Sequence, residues 1–492
     1  MLNYDNPLIK ERLEKLKQIK DLEIDPYPYS FNRSNNSKEL QDKFGNIKPE
    51  EVTKKIASVA GRIMLMRNMG KVTFIHLEDL TGRIQVYLRE SDLKEKYKLV
   101  KRLDLGDFIG VSGKIFKTKM GELSIWSDHL EILAKSIRPL PDKHAGLQDK
   151  EIRYRQRYVD LAVNKEVREV FIKRSKIISA VREFLDSKGF LEVEIPTLQS
   201  IYGGAAARPF TTHLNAWNMQ MFLSISPELY LKRLIVGGLE RVYTITKNFR
   251  NEGVDKTHNP EFTSMEFYCS YIDYNELMTL TEQCFEFVAK KVLGTTKINY
   301  QGKQIDLKGP WERLTMYDAI KKYGNIEIKK LSDVEIKDLL NKFKIEIPGL
   351  FNRGLAIAEI FEAVAEEHLI QPVHIIDHPK ETSPLCKLKR GDKELIERVE
   401  SYINGWELTN GYSELTDPKK QYEEFKSQEE RGRGGDEEAQ KMDEDYVKAL
   451  EFGLPPTGGL GIGIDRMVML LTNQPTIKDV ILFPTMKPEE EF

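Results

Sequence analysis

The spacing of apolar and polar positions divides the chain into three stretches of different period. In residues 1–20, Leu8, Ile9, Leu13, Leu16 and Ile19 recur near a helical period, with Lys10, Arg12, Lys15, Lys17 and Lys20 between them. A short helix with a basic, solvated remainder is predicted, ended by Pro26 and Pro28. From Ile56 to about Leu133 the period falls to two: A-S-V-A-G-R-I-M-L-M, K-V-T-F-I-H-L-E-D-L and G-R-I-Q-V-Y-L read as strands. A charged, helix-like stretch at 91–102 follows, then D-F-I-G-V-S-G-K-I-F-K and E-L-S-I-W as two more strands. Beyond R-P-L-P-D-K-H at 138–144 the helical period returns in 171–190, where Ile177, Ile178, Val181, Phe184 and Leu185 share a face and Gly189 stops the helix. L-E-V-E-I-P-T-L then reads as a strand ended by Pro196, and the Lys/Glu-rich text at about 325–375 reads as a helical insertion.

Three strands, a helix and two strands is the order of an OB-fold, a barrel that binds single-stranded nucleic acid by stacking bases on aromatic side chains. The organisation predicted is an N-terminal helical arm at 1–55, the barrel at 56–140, a linker at 141–150 and a large domain at 151–492. At 492 residues the chain exceeds what one core usually supports.

Composition narrows the class. With 40% hydrophobic and 31% charged residues the chain is ordinary globular material, and no apolar run is long enough to cross a bilayer. Asp5, Lys10, Glu11 and Arg12 stand where a signal peptide needs an apolar core, so a cytoplasmic enzyme without a membrane partner is expected. Cys269, Cys284 and Cys386 are odd in number and lack C-x-x-C spacing, which excludes a disulfide framework or structural zinc. A net charge of −2 gives no general attraction to nucleic acid, so RNA binding must come from local contacts.

The chemistry is concentrated in three segments. N-F-R-N-E-G-V-D-K-T-H-N-P-E-F-T-S-M-E-F-Y at 248–268 presents Arg250, Glu252, His258, Asn259 and Phe262 in an order that suits a triphosphate site. G-L-G-I-G-I-D-R at 459–466 combines glycines, which let backbone approach a ligand, with Arg466, whose guanidinium plane and the Phe262 ring are of the types that sandwich adenine. N-G-W-E-L-T-N-G-Y-S-E-L-T-D-P at 404–418 holds Glu407 and Glu414 with Asn410 between them, hard oxygen donors that suit Mg²⁺ on phosphates. Seven residues of regular strand would put the two glutamates on opposite faces, so facing ATP together requires Asn410-Gly411 to bend the chain; a solvated hairpin is the alternative.

These segments, with G-G-A-A-A-R-P-F at 203–210 and S-P-E-L-Y-L-K-R at 226–233, resemble bacterial-type class II lysyl-tRNA synthetases from about Pro49 to the end. The resemblance implies an α+β fold, an OB-fold barrel followed by a catalytic domain built on an antiparallel sheet flanked by helices. It implies ATP, L-lysine and tRNA(Lys) as substrates, Mg²⁺ as cofactor and a homodimer. Carried to this chain, Glu228, Glu414 and Tyr268 would face the lysine ε-ammonium, while Glu266 and the Gly204 backbone would hold its α-amino group. Arg250 would take the carboxylate, Asn410 would help position the substrate, and Glu407 with Glu414 would contact the metal. Arg250, Glu252, His258, Asn259, Phe262, Glu407 and Arg466 would form the ATP site, and Arg67, Phe74, Gln85 and Glu122 would read the anticodon. The alternation V-T-F-I-H-L does not decide which barrel face Phe74 takes. A lysine ligase acting on a translation factor would typically lack the barrel, and a non-catalytic RNA-binding relative would lose Arg250 or Arg466.

Overall fold

A computed structural model describes residues 4–141, 147–347, 351–433 and 440–489, so residues 142–146 of the expected 141–150 linker lie outside the described residues. The chain forms two compact units, Met1–Gln148 and Asp149–Phe492.

In the first unit, helix α1 (Pro7–Asp21) starts where the Asn6 side chain accepts the Leu8 amide. Its basic face is less solvated than its spacing suggests. Arg12 is buried and donates to the carbonyls of Leu105, Ser136 and Arg138, while Lys15 pairs with Asp104. Ile19 joins the barrel core. Strands β1 (Val52–Met69), β2 (Val72–Glu78), β3 (Arg83–Arg89), β4 (Phe108–Lys117) and β5 (Leu123–Ala134) close in the order β1-β2-β3-β5-β4. Along β2, Thr73, Ile75 and Leu77 point into the barrel, which leaves Phe74 and His76 on the outer face.

The second unit is built on one large sheet. Its main strands are β6 (Leu191–Glu192), β7 (Arg241–Phe249), β8 (Glu261–Ser270), β9 (Glu312–Thr315), β10 (Val373–Pro379), β11 (Asp392–Ile403), β12 (Trp406–Ser413) and β13 (Thr457–Gly463). They lie in the order β9-β10-β11-β12-β13-β8-β7-β6, antiparallel except at the β9–β10 and β6–β7 pairs. The strand predicted from Leu191 and ended by Pro196 is shorter than its alternation suggests. Only Leu191–Glu192 joins this sheet, and Leu198–Gln199 pairs in a separate three-stranded sheet, with Pro196, which lacks an N–H, between them.

One face of the sheet is covered by helices α2 (Lys165–Ser187), α4 (Tyr274–Leu293) and α6 (Ile464–Thr472), and helix α3 (Glu228–Val236) lies between α2 and α4 in the chain. Ile177, Val181, Phe184, Phe285, Val288, Val468 and Leu471 pack there against Met265, Phe267, Leu460 and Ile462 of β8 and β13. The residues alternating with these therefore line the other face. In the insertion, Asp333–Phe343 and α5 (Arg353–Val364) share a core through Ile336, Leu340, Ile357 and Phe361, and the chain is strand again from Val373.

Candidate active site

The uncovered face of the sheet carries side chains in rows set by strand register. One row runs Glu266 (β8), Gly461 (β13), Asn410 (β12) and Glu400 (β11); the next runs Tyr268, Gly459, Tyr412 and Arg398. Glycines thus occupy the middle of each row, between large polar side chains on both sides. A Cβ on Gly459 would stand 2.2 Å from Glu414 Oε1 and 2.2 Å from Tyr268 Cε1, so no other residue fits there without displacing both. The glycines of this segment therefore make room for the site's own side chains as well as for ligand.

Above these rows lies a cavity of about 560 Å³ lined by Gly204, Glu228, Arg250, Glu252, His258, Asn259, Phe262, Glu266, Tyr268, Glu407, Asn410 and Arg466 among others. Twelve residues expected from sequence to bind amino acid or ATP are thereby brought to one place, although they come from positions 204 to 466.

One end of the cavity is rich in carboxylates. Glu228, at the start of α3, accepts from the Tyr412 hydroxyl at 2.6 Å, and Glu266 accepts from Ser226 Oγ at 3.1 Å and the Tyr268 hydroxyl at 3.1 Å. Burial, with Glu228 as the neighbouring like charge, pushes Glu266 up to about 7. Gly204, at φ +85°, has no room for a Cβ beside Glu228 and Ser226, and its amide donates to Gln440 Oε1 at 3.3 Å. Glu414 is almost fully buried and pairs with Lys232 on α3, while its Oε1 has no hydrogen-bond partner.

The other end is lined with cations and donors suited to phosphate. The Arg250 guanidinium lies 5.1 Å from the centre of the Phe262 ring, and its buried Nε has no hydrogen-bond partner, leaving a donor for an anion. Arg466 donates to the Glu407 carbonyl at 2.5 Å and lies 3.1 Å from His258 Nε2. His258 in turn bonds Asp255 at 2.8 Å; hydrogen bonds from His258 and nearby backbone hold Asp255 down at about 2 although burial works against them. The neighbouring Asp465 is structural: it takes Arg174 of α2 at 2.5 Å and the Thr263 amide at 2.6 Å, fixing α6 and Arg466 onto β8. Asn259 lines the cavity, but its amide group is engaged with Glu261 O and the Thr485 amide, so it shapes the loop.

One expectation for the 404–418 segment is corrected. The Asn410-Gly411 pair lies inside β12 and does not bend the chain; the two-residue turn is Asn404-Gly405, both at positive φ, joining β11 to β12. The face change comes instead from a bulge at Leu408, where Ser401 pairs with Thr409 but Tyr402 pairs with Glu407. It turns Glu407 onto the face of Asn410. Of the two glutamates expected to contact the metal, Glu414 pairs with Lys232, and Glu407 has a further carboxylate, Glu400, beside it. Asn410 Nδ2 lies 3.1 Å from an oxygen of each, and Glu400 also takes Arg398 at 2.5 Å and the Tyr402 hydroxyl at 2.9 Å. Burial, then the Glu400 charge, raises the Glu407 carboxyl above its ordinary value. Glu400 was missed because nothing in its own segment signals chemistry; the period-two run Arg398, Glu400, Tyr402 on one strand face was the available clue.

On the barrel, Gln85 Nε2 donates to Glu122 at 2.5 Å and lies 3.2 Å from His76, and exposed Arg67 stands opposite Phe74 in register. Phe74 opens a row of outward rings that sequence reading did not include: Tyr87 at 5.1 Å, Trp126 at 5.5 Å from Tyr87, and Phe116 at 5.7 Å from Trp126. The cysteines are all free and buried, and burial pushes Cys284 up to about 12.

A nucleotide-sized cavity on the open face of an antiparallel sheet, approached by an arginine loop and a glycine strand, marks a class. Residues 149–487 match the family described as tRNA synthetases class II (D, K and N), and residues 57–140 match the OB-fold nucleic acid binding domain. Relatives at full length narrow this further. Proteins named lysine--tRNA ligase from Pelotomaculum thermopropionicum (52% identical, covering 99% of this chain and 96% of the relative) and Carboxydothermus hydrogenoformans (50%, 99% and 99%) are similar throughout. That of Moorella thermoacetica is 48% identical over the whole of both chains. The chain belongs to the class II tRNA synthetases of this D, K and N group, in its lysine--tRNA ligase family.

Proposed function

We propose that the cavity activates L-lysine with ATP and that the enzyme then transfers lysine to tRNA(Lys). In the first step a lysine carboxylate oxygen attacks the α-phosphorus, the bond to the bridging oxygen breaks, and pyrophosphate leaves with its electron pair. In the second, the terminal ribose hydroxyl attacks the adenylate carbonyl and AMP leaves. The observation that carries the reading is the cavity's composition: Glu228 and Glu266 line it, Glu414 lies behind them on the Lys232 ammonium that Glu228 also bonds, and Arg250 offers an unpaired buried donor in the same space. Two ammoniums and one carboxylate of lysine match that arrangement, whereas aspartate or asparagine would place an anion or an amide among carboxylates.

Arg250 neutralises the carboxylate and α-phosphate as they approach, since bringing two anions together is the main electrostatic cost of the step. Glu252, His258 and Arg466 flank the triphosphate, and Phe262 stacks on adenine. Glu407 and Glu400, brought together by Asn410, would hold Mg²⁺, since hard carboxylate oxygens suit that ion. When bound, Mg²⁺ neutralises phosphate charge. Phe74 with Arg67, Gln85 and Glu122 reads anticodon bases splayed from a loop. A homodimer in the cytoplasm belongs to the same reading; among the described residues no helix is long and apolar enough to cross a membrane. Incubation with ATP, labelled lysine and total tRNA tests the proposal. Label should enter the tRNA fraction, and charging by a different amino acid in place of lysine would reject it.

A further inference from the structure

Lys232 is a fully buried ammonium that the reaction outlined above does not use. It projects from α3 one turn beyond Glu228, an (i, i+4) pair on the same helix face, and its Nζ bonds both Glu228 and Glu414. Three tyrosine rings surround it, with centres 5.4 Å (Tyr412), 5.9 Å (Tyr268) and 5.9 Å (Tyr446) away. Cys386 pairs with Glu414 across an isolated bridge behind it, and Glu266 lies beyond Tyr268. Tyr268, Tyr412 and Glu228 line the cavity, whereas Lys232 lies behind them.

We propose that Lys232 is a specificity-determining residue: it supplies a fixed cation to the amino-acid pocket, so that three carboxylates are balanced by one protein ammonium and two substrate ammoniums. The inference rests on the lysine reading of the site. Burial raises the Glu266 carboxyl to about 7 and holds Glu414 well above the ordinary carboxylate range, so the three carboxylates are fully ionised only with cations beside them; in that state Glu228, Glu266 and Glu414 carry three negative charges, and Lys232 cancels one of them. Two remain, the number that α- and ε-ammonium together satisfy, while Arg250 takes the substrate carboxylate. Without Lys232 the occupied pocket would keep one unpaired buried carboxylate, an unfavourable state unless the group takes up a proton. Burial works against the charge on Lys232, but Glu228 and Glu414 raise its pKa well above the ordinary lysine value, which favours the charged form.

The test is lysine-dependent ATP–pyrophosphate exchange by the full-length wild type, Lys232→Met, Glu414→Gln and the double variant. Lys232→Met should raise the lysine KM at least tenfold and the ATP KM less than threefold. The acid limb of kcat/KM for lysine should move up by at least one pH unit, because a pocket carboxyl then keeps its proton to higher pH. The double variant should exceed Glu414→Gln in kcat/KM for lysine at least threefold, since losing the cation restores the balance that losing the anion upset. This second comparison stands even if Lys232→Met alone does not fold. Equal rises in both KM values with an unmoved acid limb, or a double variant worse than Glu414→Gln, would overturn the role. Absence of lysine exchange in the wild type would instead remove the lysine reading itself.

Discussion

Gly459→Ala tests the site geometry with a single methyl group. The new Cβ would stand 2.2 Å from Glu414 Oε1, 2.2 Å from Tyr268 Cε1 and 2.5 Å from Tyr268 Cδ1. Neither neighbour yields freely, because Glu414 is tied to Lys232 and Tyr268 to Glu266, and both are buried. Forcing an extra methyl into such packing costs roughly 1–3 kcal/mol. Displacing the Glu414 carboxylate from about 4 to about 5 Å from an ammonium loses about 0.8 kcal/mol more at an effective dielectric near 20. Both terms act on the lysine-bound form, which needs the two side chains in place. At about 1.4 kcal/mol per factor of ten, kcat/KM for lysine should fall roughly 20- to 500-fold. The assay is pyrophosphate exchange at varied lysine, with the ATP KM as internal reference and thermal unfolding as a check on the fold. Gly461→Ala and Gly463→Ala complete the series, since their Cβ atoms meet only ordinary contacts, the nearest at 3.4 Å and 3.8 Å. The steric reasoning fails if folded Gly459→Ala retains lysine kcat/KM within twofold of wild type, or if Gly461→Ala is the more damaged.

Other expectations follow from the same contacts. In the ligand-free enzyme the Glu266 carboxyl titrates at about 7, and binding an ammonium favours its ionised form. Hence kcat/KM for lysine should rise with pH through that region, and Glu228→Gln should shift the rise to lower pH; a flat profile from pH 6 to 8 would contradict this. Glu228→Gln should also raise the lysine KM far more than the ATP KM, and equal effects would take Glu228 out of the specificity role. Glu400→Gln should raise the Mg²⁺ concentration needed for half-maximal exchange at least tenfold, more than Glu414→Gln does; the reverse order would return the metal to the Glu407–Glu414 pair. Phe74→Ala should reduce tRNA charging at least tenfold at limiting tRNA while leaving pyrophosphate exchange unchanged, and unaltered charging would make the ring structural.

The parts legible in the sequence were those fixed by local period and by contiguous motifs. Strand alternation from Ile56 to Leu133 marked every barrel strand, and the run from Arg250 to Tyr268 carried one whole wall of the cavity. What escaped depended on pairing between distant strands. The outward position of Phe74 is visible only once Thr73 and Ile75 are seen buried, and the extra residue at Leu408 is defined by its partner strand, not by its own text. Glu400 gains meaning only through Asn410 across the β11–β12 ladder. Lys232 was readable as a helix neighbour of Glu228, but its contact with Glu414, far along the chain, is a property of the fold.

The central claim is that this cavity selects lysine by charge. Pyrophosphate exchange measured separately with each amino acid, in the absence of tRNA, tests it most directly. Exchange should depend on lysine, be weaker with ornithine, and be absent with norleucine, aspartate and asparagine. Exchange supported by aspartate or asparagine but not by lysine would contradict the account.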